Sequence, residues 1–142
     1  IETRMMLETH SAYWAAIRAT PSDLADMKQS LDEMQSSIDD VEAFRDADIK
    51  FHVQIAEATQ NSMLISLINM MRQYFVTWIQ ERLFASPINA AELAEISLSE
   101  HQAIFDKILE HDGDGARDAM AAHIGTASID LRANLKDAAT DK

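Results

Sequence analysis

The sequence predicts an all-α protein, an antiparallel bundle of about six helices. Two observations come from composition: apolar residues make up 47% of the 142 residues, and only three Gly and two Pro interrupt them. So much apolar surface excludes a disordered chain, and so few turn residues exclude a loop-rich β-sandwich. The third observation is that these helix-breaking residues separate segments whose apolar residues repeat with helical spacing. The length favours a single domain.

Helix-breaking and helix-capping residues define the predicted boundaries of the helices. Thr20, Pro21 and Asp23 form the pattern of an N-cap, a proline at the first helical position and an acidic third residue. Asp40 can cap a third helix, and the Ser86-Pro87 pair stops the fourth. We predict one helix up to about residue 19, then helices over about 21–38, 41–60, 63–84, 89–110 and 115–135. A break near 97–99 in the fifth helix is left open.

The short connections predict that consecutive helices lie antiparallel. We expect residues 1–137 to form one domain and residues 138–142 to fray, because this tail has no apolar face to bury. The fourth helix differs from the others, since its apolar residues cover nearly its whole circumference. It is therefore predicted to be central or to lie at a subunit interface.

The charge balance excludes some partners. A net charge of −12 disfavours nucleic acid and anionic membranes, which both attract clustered Lys and Arg. The longest apolar runs are far shorter than the roughly 20 residues of a membrane-spanning helix. The chain has no cysteine and no signal peptide at its start, so we expect a cytoplasmic protein.

Three predicted helices each direct a histidine towards the interior. Asp48 and His52 lie four residues apart on one face of the third helix, and His101 and His123 lie on the apolar stripes of the fifth and sixth. One carboxylate and three imidazoles suit a divalent transition metal, with zinc expected first and nickel, manganese or iron as alternatives. The stripes are marked by Phe44, Phe51 and Ile55, by Leu98, Phe105 and Ile108, and by Ala116, Met120 and Ala127.

Each residue of this set also has a simpler interpretation. A single inward histidine is more often hydrogen-bonded to backbone or to a carboxylate than bound to a metal, and Asp48 with His52 can form an ion pair. The convergence of four such residues from three helices favours the metal. His10 and His111 are interpreted as structural, the latter at a helix C-terminus.

Two arginines are candidates for binding an anionic ligand. Arg72 lies among apolar residues of the fourth helix, where its guanidinium needs an anion, although an acidic residue of a neighbouring helix or subunit could supply it. Arg4 is the weaker candidate, because Glu8 follows at i+4 and an ordinary surface pair would explain it.

Five short motifs, in order over nearly the whole chain, carry a resemblance to a known family. They are Glu2-x-Arg4-x-x-Leu7-Glu8; Ala15-Ala16-x-Arg18-Ala19-Thr20 with Asp23-Leu24; Asp48-x-x-Phe51-His52 followed by Ala56 to Asn61; Glu100-His101-x-x-Ile104; and Asp112-x-x-x-Ala116-x-x-x-Met120-x-x-His123-Ile124. In these five motifs the sequence resembles the FadR-type C-terminal ligand-binding domain, FCD, of GntR-family bacterial transcription regulators.

The resemblance implies an all-helical effector domain that dimerises and holds a metal through Asp48, His52, His101 and His123. It further implies that a small organic acid binds with the help of the metal, and that an N-terminal winged-helix domain, absent from this chain, binds operator DNA. Two alternatives stay open: a metal-dependent enzyme, and a dimerisation module with a purely structural metal. The enzyme is disfavoured because no general base is evident beyond the ligands.

Overall fold

The computed structural model describes residues 2–85 and 89–140, and side chains for all of these except 79, 82–85 and 128–140. The described residues form six α-helices, which confirms the predicted all-helical architecture. The helices are α1 (Glu2–Arg18), α2 (Pro21–Ser36), α3 (Val41–Ala58), α4 (Ser62–Ala85), α5 (Ala90–Leu109) and α6 (Gly113–Thr140).

The predicted capping residues act as expected at the start of α2 and α3. The Thr20 backbone N–H donates to Asp23 Oδ2 at 2.9 Å, and the Asp23 N–H donates back to Thr20 Oγ1 at 3.2 Å. Asp40 Oδ1 accepts from the Ala43 N–H at 3.1 Å. These bonds satisfy N–H groups that have no partner inside the helix. The predicted stop at Ser86-Pro87 lies outside the described residues.

The last two helices differ from prediction. α5 is continuous through residues 97–99, so the break left open there does not occur. α6 begins at Gly113 and continues to Thr140, which extends it beyond both predicted ends. The left-handed residue of the turn before α6 is His111, with φ of 58°, and no glycine among the described residues takes a positive φ.

Two cores hold the bundle together. The larger core lies between α1, α2, α3, α5 and α6 and includes Met27, Met34, Phe44, Phe51 and Ile108. A smaller core lies where α4 packs on α3 and α5, and it consists of Ile49, Ala56, Ile68, Phe75 and Leu93. Burial of this apolar surface supplies most of the free energy that holds the helices in place.

The structure decides between the two predicted positions of α4. Ile68 and Phe75 are buried, whereas Met63, Met70 and Tyr74 are 69%, 71% and 75% exposed. α4 therefore lies at the side of the bundle, and the prediction that it could be central is wrong. No helix among the described residues is long and apolar enough to cross a membrane.

Candidate metal centre

A cluster of three histidines lies where α3, α5 and α6 meet. His52, His101 and His123 are at most 3% exposed, and each offers a ring nitrogen within 4.8 Å of the other two. Their rings pack closely, with centroids 4.4 Å apart for His101 and His123 and 5.1 Å apart for His52 and His101. The structure thus brings together all three histidines that the helical stripes had singled out.

Asp48 completes this arrangement from α3. Its Oδ1 lies 2.8 Å from Nε2 of His101 and 3.2 Å from Nε2 of His52, and those two nitrogens are 3.1 Å apart. Ligand atoms bound to one ion at about 2.1 Å, with angles between about 90° and 109°, lie roughly 3.0–3.4 Å from one another. Two of the three distances fall in this range, and the contact between Asp48 and His101, at 2.8 Å, is slightly shorter.

The Nδ1 atom of each ring lies close to an oxygen. Nδ1 of His52 lies 2.5 Å from Glu8 Oε1, Nδ1 of His101 lies 2.6 Å from the Ser97 carbonyl oxygen, and Nδ1 of His123 lies 2.6 Å from Glu100 Oε2. An Nδ1–H that faces such an oxygen leaves Nε2 as the nitrogen available to a metal. The surroundings therefore orient the three rings as metal-binding histidines are oriented.

Glu8 connects the cluster to Arg4. Arg4 Nε donates to Glu8 Oε2 at 2.5 Å, and both side chains are almost fully buried. The interpretation of this pair as an ordinary surface pair is wrong, because α3, α4 and α6 pack against α1 and exclude water from it. Sequence reasoning missed Glu8, although it shares the face of α1 that carries Ala12 and Ala15.

Two further partners of the cluster were also missed. Glu100 directly precedes His101 in sequence, yet its carboxylate pairs with His123 of the next helix. Ser97 contributes a backbone oxygen, which no side-chain pattern can reveal. The signal for Glu100 was its position beside a candidate ligand at the edge of the same helix face.

The electrostatics differ from one ring to another. Burial by itself lowers the pKa of His52, but attraction by Glu8 and Asp48 raises its pKa to about 9. Burial and the neighbouring His101 and His52 hold the pKa of His123 well below its usual value. In the absence of metal, His52 is therefore protonated and His123 is neutral at pH 7.

The two buried carboxylates are ionised. Burial raises the pKa of Glu8, but Arg4 and His52 outweigh it and lower this pKa to about 2. Burial likewise opposes ionisation of Asp48, while His101 and His52 hold the pKa of Asp48 well below its ordinary range. Asp48 is thus available as an anionic ligand.

The other residues considered from the sequence lie outside the histidine cluster. Arg72 is exposed on α4 and lines a surface groove with Asp46, Lys50 and Glu57, outside the buried cluster. Its role in effector binding stays a prediction. His10 is exposed, and His111 donates from Nδ1 to the Ala16 carbonyl oxygen at 2.8 Å.

Comparison with known proteins agrees with the fold. The FCD domain family matches residues 1–126. The chain is 35% identical over 136 residues to the galactonate operon transcriptional repressor of Escherichia coli K12, covering 92% of the chain and 56% of that protein. It is 32% identical over 128 residues to the HTH-type transcriptional regulator LutR of Bacillus subtilis, covering 87% of the chain and 57% of that protein.

A solved structure shows the same fold. The metal-free FCD domain of the transcriptional regulator TM0439 superposes with a TM-score of 0.70 at 23% identity, over 96% of this chain and 91% of that one. The chain spans about half the length of the curated relatives it matches. These relatives are transcription regulators and not enzymes, as the sequence predicted. The chain belongs to the FCD domain family of GntR-type transcription regulators.

Proposed function

We propose that this domain binds a small organic acid at a metal held by Asp48, His52, His101 and His123, and so controls a regulator of an operon. The observation that supports this most is the convergence of the three buried histidines, each of which offers a ring nitrogen within 4.8 Å of the other two. The Nδ1 atom of each ring lies within 2.6 Å of an oxygen, an arrangement that leaves Nε2 available to a metal.

Zinc is the metal proposed first, with nickel, manganese or iron as alternatives, because imidazole and carboxylate ligands suit all four. When bound, the metal supplies a Lewis-acid position at which a carboxylate can replace water. The protein residues set the geometry: Glu8 and Glu100 hold two of the rings, and Asp48 supplies negative charge between His52 and His101.

The partners proposed for the domain follow from its family and its surface. We propose a homodimer, because α4 exposes apolar side chains on the outside of the bundle. Operator DNA would be bound by a winged-helix domain that is not in this chain, in keeping with the net charge of −12. A cytoplasmic location is part of the same proposal.

Calorimetry with hydroxy, keto and sugar acids tests the proposed acid binding. We expect at least one acid to bind zinc-loaded protein at least tenfold more tightly than chelator-treated protein, without being consumed. Equal affinity in both forms would contradict a role of the metal in acid binding. Failure of every acid, with metal retained, would instead indicate a structural metal, and turnover of an acid would indicate an enzyme.

Metal content of the purified protein tests the proposed ligands separately. We expect about one divalent ion per chain in the wild-type protein and none in a His101→Ala/His123→Ala variant. His111→Ala is the matched control, because His111 lies outside the cluster and contacts the Ala16 carbonyl. Equal metal in the double variant and the control would contradict the proposed ligand set.

A further inference from the structure

A groove with balanced charges lies between α3 and α4 on the surface of the bundle. Its volume is about 490 Å³. The residues that line it are Asp46, Lys50, Val53, Gln54, Glu57 and Arg72. This lining carries two cations and two carboxylates, although the whole chain has a net charge of −12. Such a balance favours neither a simple anion nor a simple cation, but it suits a molecule that carries both charges.

Two opposite charges in this groove are unpaired. The other two charged residues of the lining have partners outside it, in Arg45 and Glu33. By contrast, neither the carboxylate of Glu57 nor the guanidinium of Arg72 has a partner among the described residues, and the two do not pair with each other. Both side chains are exposed, so a ligand that enters the groove from solvent can reach them.

Gln54 adds a neutral donor to the two charges. Its Oε1 accepts a hydrogen bond from Ser30 Oγ at 2.7 Å, which holds the amide against α2. The Nε2 group is then left to donate to an oxygen of a ligand. Val53 and Gln54 precede Glu57 by four and three residues, so the three share one face of α3, and the half-buried Val53 gives this face an apolar surface.

We propose that this groove binds a free α-amino acid in its zwitterionic form. The carboxylate of the amino acid pairs with Arg72 and accepts a hydrogen bond from Gln54 Nε2. Its ammonium group pairs with Glu57, and an aliphatic side chain lies against Val53. Both the ligand and the site differ from the acid and the metal of the proposed function, so either proposal can fail without the other.

The groove lies away from the side of α4 that is proposed to form a dimer. Arg72 follows Met70 by two residues and precedes Tyr74 by two, and a step of two residues turns about 200° around a helix axis. Met70 and Tyr74 are the exposed apolar residues of the outer side. Arg72 therefore lies on another side of the helix, and association through Met70 leaves the groove open.

Titration of the zinc-loaded chain with L-valine, followed by NMR of the backbone and side-chain N–H groups, tests the site. We expect saturable shift changes at Gln54, Glu57 and Arg72, with a Kd of about 1 mM because exposed charge pairs contribute little each. Isovalerate lacks the ammonium group of valine, and isobutylamine lacks its carboxylate. Each of these matched analogues should bind about fivefold more weakly, since it leaves one charge of the groove unpaired.

Single substitutions test the two charges of the groove. Glu57→Gln and Arg72→Gln should each weaken valine binding about fivefold, because one charge of the ligand loses its partner. Glu110→Gln and Arg117→Gln make the same changes in net charge outside the groove, and these matched controls should leave the affinity unchanged. All four residues are exposed, so thermal unfolding should show that every variant keeps the fold.

The outcomes separate this inference from the proposed function. Affinity for valine within twofold of the wild type in both Glu57→Gln and Arg72→Gln, or equal affinity for valine and isovalerate, would overturn the site. Shift changes confined to His101 and His123 would also overturn it, because they would place the ligand at the metal centre. Valine binding in the groove of a protein whose metal binds no organic acid would support the site and contradict the proposed function.

Discussion

At the scale of single residues, the centre is a chain of alternating charges. Arg4 pairs with Glu8, Glu8 contacts His52, and His52 contacts Asp48, which in turn binds His101. Isolated charges in this interior would be strongly destabilising, so each one depends on its neighbours. A metal ion that replaces the proton on His52 keeps this alternation intact.

Metal binding should release a proton from His52. The pKa of His52 in the metal-free chain is about 9, so below that pH the ion must displace a proton, and affinity falls as the pH is lowered. Between pH 6 and pH 8 we expect affinity to rise about tenfold per pH unit for that proton. Calorimetry at pH 7 in two buffers of different ionisation enthalpy measures the release. Identical apparent enthalpies in the two buffers would contradict it.

The carboxylates that hold the rings should affect metal affinity without being ligands. Glu100→Gln, at a side chain that is 21% exposed, weakens the partner of His123 and should lower zinc affinity about 10-fold to 100-fold. Glu8→Gln should act in the same direction through His52, with a loss of stability because Arg4 loses its ionic partner. Competition with a chelating dye measures affinity, and thermal unfolding measures stability. Unchanged affinity in Glu100→Gln would contradict the orienting role.

At the scale of helices, each element contributes one part of the site. α3 supplies two of the proposed ligands one turn apart, α5 and α6 supply one each, and α1 supplies the charged pair behind His52. α4 contributes no ligand, but it covers the site with Phe75, whose ring lies 6.4 Å from that of His52. Its outer side carries the most exposed apolar residues of the described part of the chain.

The exposed side of α4 predicts how the chain associates. Met63 and Met70 lie two helical turns apart on this side, and their burial in a dimer would remove apolar surface from water. A Met63→Glu/Met70→Glu variant should shift a wild-type dimer towards monomer, whereas Leu109→Glu, at an exposed residue of α5, should not. Light scattering at tens of micromolar protein distinguishes the states. A wild-type monomer at this concentration would contradict the interface.

At the scale of the whole molecule, the proposed function divides acid binding from DNA binding, and the charge of the chain agrees with this division. The net charge of −12 repels the phosphate backbone, so under the proposed function this domain would act on an operator only through a separate DNA-binding domain. An acid can shift the equilibrium between two arrangements of a regulator only by its differential affinity for them, typically about 1–3 kcal/mol.

The isolated chain should therefore not bind DNA. We expect no retardation of an operator fragment by the zinc-loaded chain, with or without acid, at 50 mM and at 150 mM salt, because no release of counterions favours binding. The same chain joined to a winged-helix domain is the matched comparison and should retard the fragment. Retardation by the isolated chain that weakens with salt would contradict this division of function.

The sequence by itself determined the helices and the proposed ligands. Caps such as Thr20 and Asp40 and the spacing of four between Asp48 and His52 act within one or two helical turns, so they could be interpreted without knowing the neighbours. The three histidines converge as predicted because the apolar faces of the helices in a small bundle all point towards the same interior.

Only the tertiary structure decided which polar groups are buried and what they contact. Arg4 and Glu8 look like a surface pair from their spacing, and they become part of the centre because other helices cover α1. The position of α4 at the side of the bundle depends in the same way on which helix lies beside which. So does the Trp78 N–H, which is buried without a hydrogen-bond partner among the described residues. Periodicity shows that a helix has an apolar face, but the burial of a side chain depends on residues distant in sequence, and no local pattern contains them.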